Sequence, residues 1–304
     1  MMVGNRGSLV GLIRWQQHSV VLFATSAALV IALRELLGWH WLRIPPVPVA
    51  VVGGALGIFV SFRTNAAYAR WWEGRQLWGR LINLSRMFSS QVMAYLPNAQ
   101  DGSPSPLQRA LIERQVLYVH VLRCLLRDQS AWADDDVQRF STESLRTELA
   151  RETNPTHALA HAHLTELARE ADEGRLAPLR MDALDRTING LLDVQGGCER
   201  IKRTPMPRGY GFFADQLIRA FGIMFPLAIA EELWITVIPL NILVCLAFMM
   251  ISEVGRVLED PFTMFWNGLP LSALSRTIES NLRQRIGDPD VLPMHQPDAN
   301  GILM

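Results

Sequence analysis

Lysine is almost missing from this chain: Lys202 is the only one, and arginine carries nearly all the positive charge. Lys and Arg total 29 and are balanced by 29 Asp and Glu. A nucleic-acid binder needs a basic surplus to neutralise phosphates, so that class of partner is excluded. Cysteine is scarce too. Cys124, Cys198 and Cys245 are scattered, with no C-x-x-C pair to suggest a disulfide framework or a zinc site. Cys245 lies inside an apolar run, where a thiol acts as a small hydrophobe. No G-x-S-x-G, Walker-type or G-x-G-x-x-G sequence occurs, so the usual nucleophile and phosphate-cradle signals are absent. Charge is short as well: 19% of residues are charged, against about 25% in an ordinary soluble domain. The shortage is concentrated in a few windows, the pattern of membrane spans joined to a water-facing region.

Four windows are candidate spans. Leu233 to Ile251 holds no charged residue and is long enough to cross the hydrocarbon layer as a helix. Ile44 to Phe62 is also uncharged and opens on Pro45, Pro46 and Pro48, which suit an entry turn or a first helical turn. Val20 to Leu33 extends past Arg34 and Glu35 to Leu37 or Trp39, where arginine can snorkel and tryptophan favours the interface. Arg6 and Arg14 precede it in the manner of a secretory signal, but no A-x-A-like cleavage site follows, so an uncleaved first span is expected. Phe212 to Ala230 is the weakest window because it carries Asp215 and Arg219, four residues apart on one helical face and able to pair. Arginines crowd between the second and third windows, while the connector Ala230-Glu231-Glu232 is acidic. Four spans then put both termini and the central body in the cytoplasm.

The expected fold is an all-α membrane protein with a helical cytosolic body. Its divisions are 1–62 with the first two spans, 63–207 as the cytosolic helical region, 208–252 with the last two spans, and 253–304 as a C-terminal cytosolic segment and tail. Breaks at Pro97 to Pro106, Asn154-Pro155 and Gly174 to Pro178 leave helices over about 63–96, 107–129, 135–151, 156–173 and 179–201. After Ile286 the tail is too rich in breakers for a regular element.

The second window carries the most information. Gly53 and Gly57 are spaced as G-x-x-x-G, with Ala50 and Ser61 extending the small face, which usually serves close helix packing. Gly54, Ile58 and Phe62 form a separate line at i, i+4, i+8, able to make an apolar constriction if several copies surround an axis. Directly afterwards comes Phe62-Arg63-Thr64-Asn65-Ala66-Ala67-Tyr68-Ala69-Arg70-Trp71-Trp72-Glu73-Gly74-Arg75, then Leu77-Trp78-Gly79. An interfacial aromatic belt with snorkelling arginines explains the composition of this stretch but not the string itself.

The string resembles the signature of the bestrophin family in its bacterial branch. Glu259-Asp260-Pro261-Phe262 and Asn267-Gly268-Leu269-Pro270-Leu271 resemble the family's acidic-Pro-Phe and N-D-L-P-L segments. Thr204-Pro205-Met206-Pro207 is a looser match. The resemblance implies an ion channel: a homopentamer in the bacterial inner membrane, passing chloride or other small monovalent ions through one axial pore. It implies a hydrophobic neck at Gly54, Ile58 and Phe62 and a cytosolic constriction at Met206. Gly54 lacks the bulk expected of a neck position, which points to a wider or shorter neck. Gly268 replaces an aspartate of the family motif, and the calcium-binding acidic cluster of animal members has no counterpart near Glu259 and Asp260. Calcium gating of that kind is not expected.

A rival reading is an integral-membrane enzyme acting on lipid or peptide. It would have to draw on His157, His161 and His163, of which the first two share a helical face at a zinc-compatible spacing. No H-E-x-x-H accompanies them, and a solvated helix face is favoured, so neither metal nor cofactor is expected. Asp134-Asp135-Asp136 lacks the alternating calcium-loop pattern and suits the acidic N-terminus of the next helix.

Overall fold

The computed structural model describes residues 15–298 and 301–303. Arg6 and Arg14 lie outside the described residues. Among these, every regular element is helical: α1 (Gln17–Leu37), α2 (Pro46–Tyr95), α3 (Pro106–Leu126), α4 (Asp135–Arg139), α5 (Glu143–Leu149), α6 (Pro155–Asp172), α7 (Pro178–Arg203), α8 (Arg208–Leu233), α9 (Val237–Leu258) and α10 (Leu271–Arg285). The described residues form two compact units, one made of those up to Trp71 with Pro205–Glu259, the other of Trp72–Thr204 with those from Asp260 onward.

The first unit contains the apolar helices. By length and composition α1, α2 and the run Gly209–Leu258 are able to cross a membrane. α2 starts at Pro46, where a missing N–H costs nothing, and continues without a break for 50 residues. The second window and the Arg- and Trp-rich string are thus one helix. α8 and α9 are joined by a single 3₁₀ turn, Trp234–Thr236. The core gathers Phe23 of α1, Val49, Leu56 and Val60 of α2, Ala214, Ile218 and Phe221 of α8, and Cys245 and Met249 of α9. Cys245 is therefore a buried hydrophobe, as its setting in the sequence suggests.

Close approach depends on glycine here. A Cβ on Gly222 would lie 2.5 Å from the Phe23 ring, and one on Gly53 would lie 3.0 Å from Phe221. The buried amide of Asn241 ties the same helices together. Its Nδ2 donates to the Phe23 carbonyl at 2.9 Å and to the Gly222 carbonyl at 3.0 Å, satisfying groups that hydrocarbon could not.

In the second unit α3 packs against α6, α7 and α10. Its start is a capping box, in which Ser105 accepts from the Gln108 N–H and Gln108 returns a bond to the Ser105 N–H. The expected helix over 135–151 is instead two short ones. Phe140 ends α4, and Thr142 caps α5 by accepting from the Leu145 N–H, so a cap inside the apolar pattern resets the helix. Asp134 caps α4, accepting from the N–H groups of Asp136 and Val137. The acidic run is thus a helix start, as expected. The tail beyond Gly287 has no helix among the described residues.

Candidate functional site

α2 presents two different faces within the first unit. Gly53 and Gly57 turn inward, the latter leaving 3.5 Å between an added Cβ and Phe248, and they serve packing. Gly54, Ile58 and Phe62 lie on another face with no such cover. Ile58 is 60% exposed and Phe62 65% exposed, and a Cβ on Gly54 would meet nothing within 4 Å. With Gly57, Ser61 and Asn65 they border a concavity of about 380 Å³. Met206, in the link between α7 and α8, is half-buried.

Immediately past this apolar face the helix becomes polar and tightly held. Arg63 is 2% exposed; its guanidinium donates to the Ser252 hydroxyl at 2.7 Å and to the Glu259 carboxylate at 2.9 Å. Ser252 in turn donates to Asp215 at 2.9 Å. Arg70, two turns on, donates from Nε to the Glu259 carbonyl at 3.1 Å. The pair that spacing allows between Asp215 and Arg219 does not form among the described residues. Ser252, a helix away, offers the carboxylate a buried donor, whereas an i,i+4 partner offers a solvated one. Gly211 makes room for the network, since a Cβ there would be 2.8 Å from Arg63.

The remaining motif residues belong mostly to the second unit. Trp71, at the edge of the first, stacks on Tyr68 at 6.1 Å, and Asn65 and Trp72 are exposed. Glu73 pairs with Arg200, and Trp78 is fully buried. Gly74 faces the Pro261-Phe262 turn, where an added Cβ would sit 3.0 Å from Pro261 and 3.3 Å from Phe262. Phe262 is fully buried, Pro261 and Pro270 are buried, and Asn267 is half-buried. The Leu269 N–H closes the loop onto the Pro261 carbonyl at 2.7 Å. Lys202 anchors it from α7, reaching Asp260 at 2.9 Å and Asp128 at 2.7 Å. Burial works against the charge on Lys202, but bonds to Asp128 and Asp260 outweigh it and raise the pKa. The two distant motifs therefore meet: Arg63 and Arg70 hold Glu259, and Gly74 admits Pro261 and Phe262.

A family model described as Bacterial/Fungal Bestrophin protein matches residues 2–284. The chain belongs to the bestrophin family. Among curated relatives, the voltage-dependent anion channel-forming protein YneE of Escherichia coli K12 is 30% identical over 292 residues, covering 93% of each chain. The protein of the same description from Synechocystis, sll1024, is 30% identical over 94% of this chain and 92% of its own. A bacterial bestrophin homolog from Klebsiella pneumoniae superposes with a TM-score of 0.80 at 27% identity, covering 88% of this chain and 97% of that one. A mutant of that homolog gives 0.81 at 27% identity, over 93% and 99%.

In this bestrophin the tempting side sites resolve as structure. His157 and His161 are exposed on α6, as a solvated face requires. His163 is buried against Phe88, ring centres 4.7 Å apart, with neither nitrogen bonded; burial, aided by Arg114, holds its pKa well below the ordinary value. One cluster had no signature in the sequence. His120, Asp136 and Glu279 converge, with Nε2 of His120 3.1 Å from Glu279 and Nδ1 3.6 Å from Asp136. Arg276 takes both carboxylates at 2.8 Å, and Arg123 reaches Asp136 at 3.3 Å. A metal ion would have to sit against those guanidinium groups, so the cluster is an ion-pair network joining α3, α4 and α10. Glu199, on α7, is engaged in the same structural way, accepting from Asn154 and Gln195.

Proposed function

We propose that this bestrophin is a homopentameric channel passing small inorganic anions passively across the bacterial inner membrane. Each subunit contributes four spans: α1, the first part of α2, α8 and α9. Both termini and the helical body face the cytoplasm. The divisions 1–62, 63–207, 208–252 and 253–304 follow from that topology. The observation that carries the reading is the uncovered apolar line Gly54-Ile58-Phe62 on a helix whose opposite face is packed. The line is left open to lipid or to other copies of the chain. Around a five-fold axis the same line becomes an apolar neck, where ions must shed water. Met206 forms a second constriction.

Anion preference rests on the relatives, which are named as anion channel-forming proteins. An apolar neck has no charge sign of its own. Arg63, spent on Glu259 and Ser252, does not offer its charge to the pore and instead fixes the inner end of the neck helix.

Bilayer recording on the purified protein under a salt gradient tests the reading, with Phe62→Ala and Met206→Ala alongside. The reversal potential is expected near the chloride equilibrium value, and each substitution is expected to change conductance or ion preference. A well-folded oligomer that passes no current, in wild type and in both variants, overturns the channel reading. A reversal potential near the cation value overturns only the anion preference. His157→Ala with His161→Ala is expected to leave currents unchanged.

A further inference from the structure

The first unit has a second concavity, unrelated to the neck face. It is an apolar groove of about 420 Å³ bordered by Leu22, Leu29 and Leu33 of α1, Leu42, and Ile223 and Leu227 of α8. Two hydroxyls also reach it, but both are already engaged. Thr25 donates to the Val21 carbonyl at 2.7 Å, and Ser26 donates to the Gly222 carbonyl at 3.0 Å. What remains is hydrocarbon-like. Along α1 the lining runs from Leu22 to Leu33, about 16 Å of helix at 1.5 Å per residue. That is the depth of one leaflet, since the whole hydrocarbon layer is about 30 Å thick.

Charge begins one residue past two of the lining positions. Arg34 follows Leu33, Arg43 follows Leu42, and both guanidinium groups converge on one oxygen of Glu231. Arg43 takes the hydrogen bond at 3.0 Å, and Arg34 is left at 3.9 Å. Arg34 is 6% exposed, and its Nη1 is buried with no partner. Two cations thus share one carboxylate, and the buried one is short of acceptors. The neighbouring carboxylates of Glu35 and Glu232 are exposed to solvent. A buried guanidinium nitrogen without an acceptor is costly, and a phosphate oxygen is the acceptor its geometry suits.

We propose that this groove holds one anionic phospholipid, with its phosphate on Arg34 and Arg43 and an acyl chain along α1 and α8. The assignment rests on the reading that α1 and α8 cross the bilayer, and it gives the chain a lipid site separate from its ion path. Binding would supply the missing acceptor to Arg34 and cover exposed Leu29 and Ile223.

Native mass spectrometry of the detergent-purified oligomer tests this, with phosphatidylglycerol, phosphatidylcholine and inorganic phosphate added in turn. Phosphatidylglycerol is expected to be retained in preference to phosphatidylcholine. Arg43→Gln, an exposed position, and Arg34→Gln should each weaken that retention by about tenfold, the scale of one lost charge-assisted contact. Leu29→Trp, which fills the groove without touching charge, should weaken both lipids. Equal retention of both lipids, or retention unmoved by Arg43→Gln and Leu29→Trp, overturns the proposal. Inorganic phosphate that competes fully with the lipid shows an anion site and overturns it as well. A change of oligomeric state with Leu29→Trp, without loss of lipid, shows the groove to be covered by a second copy. Conductance of the same samples reports on the channel reading separately.

Discussion

At the scale of single residues, this chain departs from its family's motif at a point where the structure gives the reason. Gly268 stands where the family resemblance leads one to expect aspartate, and an added Cβ would lie 2.0 Å from the Thr263 carbonyl oxygen. The loop from Asp260 to Leu271 is wound around that glycine, whose N–H donates to Phe265 at 2.7 Å. Restoring the family residue is therefore expected to harm this protein. Gly268→Asp should lower stability by about 2 kcal/mol or more, the range of substitutions that overpack a filled site. A melting temperature of the purified variant equal to wild type would refute the steric account. His163 is a second residue with a measurable signature. Its folded pKa is depressed by burial, so the stability it contributes is fully present above its unfolded value of about 6.5. That stability is lost as pH falls below this value, because the unfolded state takes up a proton that the folded state refuses. The slope approaches about 1.4 kcal/mol per pH unit for one proton. Thermal melts from pH 7.5 to 5.5 should show a steeper fall for wild type than for His163→Leu; parallel curves would remove His163 from the account.

At the scale of elements, α2 shows what a sequence can and cannot disclose. Spacing allows Gly54 both with the packing glycines Gly53 and Gly57 and in line with Ile58 and Phe62; the structure packs Gly53 and Gly57 and leaves Gly54, Ile58 and Phe62 open. Helix starts were legible where a proline opens the first turn, as at Pro106, Pro155 and Pro178. The break at Phe140 was not, because the apolar pattern runs through it and only the Thr142 cap betrays it. That Asp215 and Arg219 do not pair, although their spacing allows it, was hidden for a related reason. Spacing reports neighbours on one helix, whereas the competing donor Ser252 is 37 residues away in the chain. The convergence of His120, Asp136 and Glu279 was invisible on the same ground, since they are spread over three helices. The network at the foot of α2 yields its own prediction. Ser252→Ala removes the hydroxyl that links buried Arg63 to half-buried Asp215, leaving the Asp215 carboxylate without that donor and Arg63 with one acceptor fewer. It should cost about 1–3 kcal/mol, the desolvation penalty of such groups. Glu259→Gln keeps an acceptor for Arg63 and should cost less. Melting temperatures falling in the opposite order would disprove the hierarchy.

At the scale of the whole molecule, the open line on α2 is where the proposed assembly can be tested. Exposed Ile58 and Phe62 would be ordinary against lipid, but so would a large residue at Gly54, and the chain has glycine there. Nothing crowds that position: an added Cβ meets no atom within 4 Å, so the subunit alone tolerates any helix-compatible side chain. Gly54→Ile is therefore a test confined to the assembly. In a pentamer with the line on the axis it places five branched side chains at one level of the pore. Narrowing an apolar constriction favours its dewetting, so single-channel conductance should fall severalfold. Folding should be undisturbed, with a melting temperature near wild type, since Ile in place of Gly inside a helix recovers about 0.5 kcal/mol of propensity. Gly53→Ile is the control on the packed face, where Phe221 lies 3.0 Å from an added Cβ. It should lower stability instead. If Gly54→Ile leaves conductance untouched while Phe62→Ala alters it, the neck begins below Gly54 and spans a single helical turn from Ile58 to Phe62. If neither substitution changes the current, the line faces lipid, and the ion path lies elsewhere in the fold.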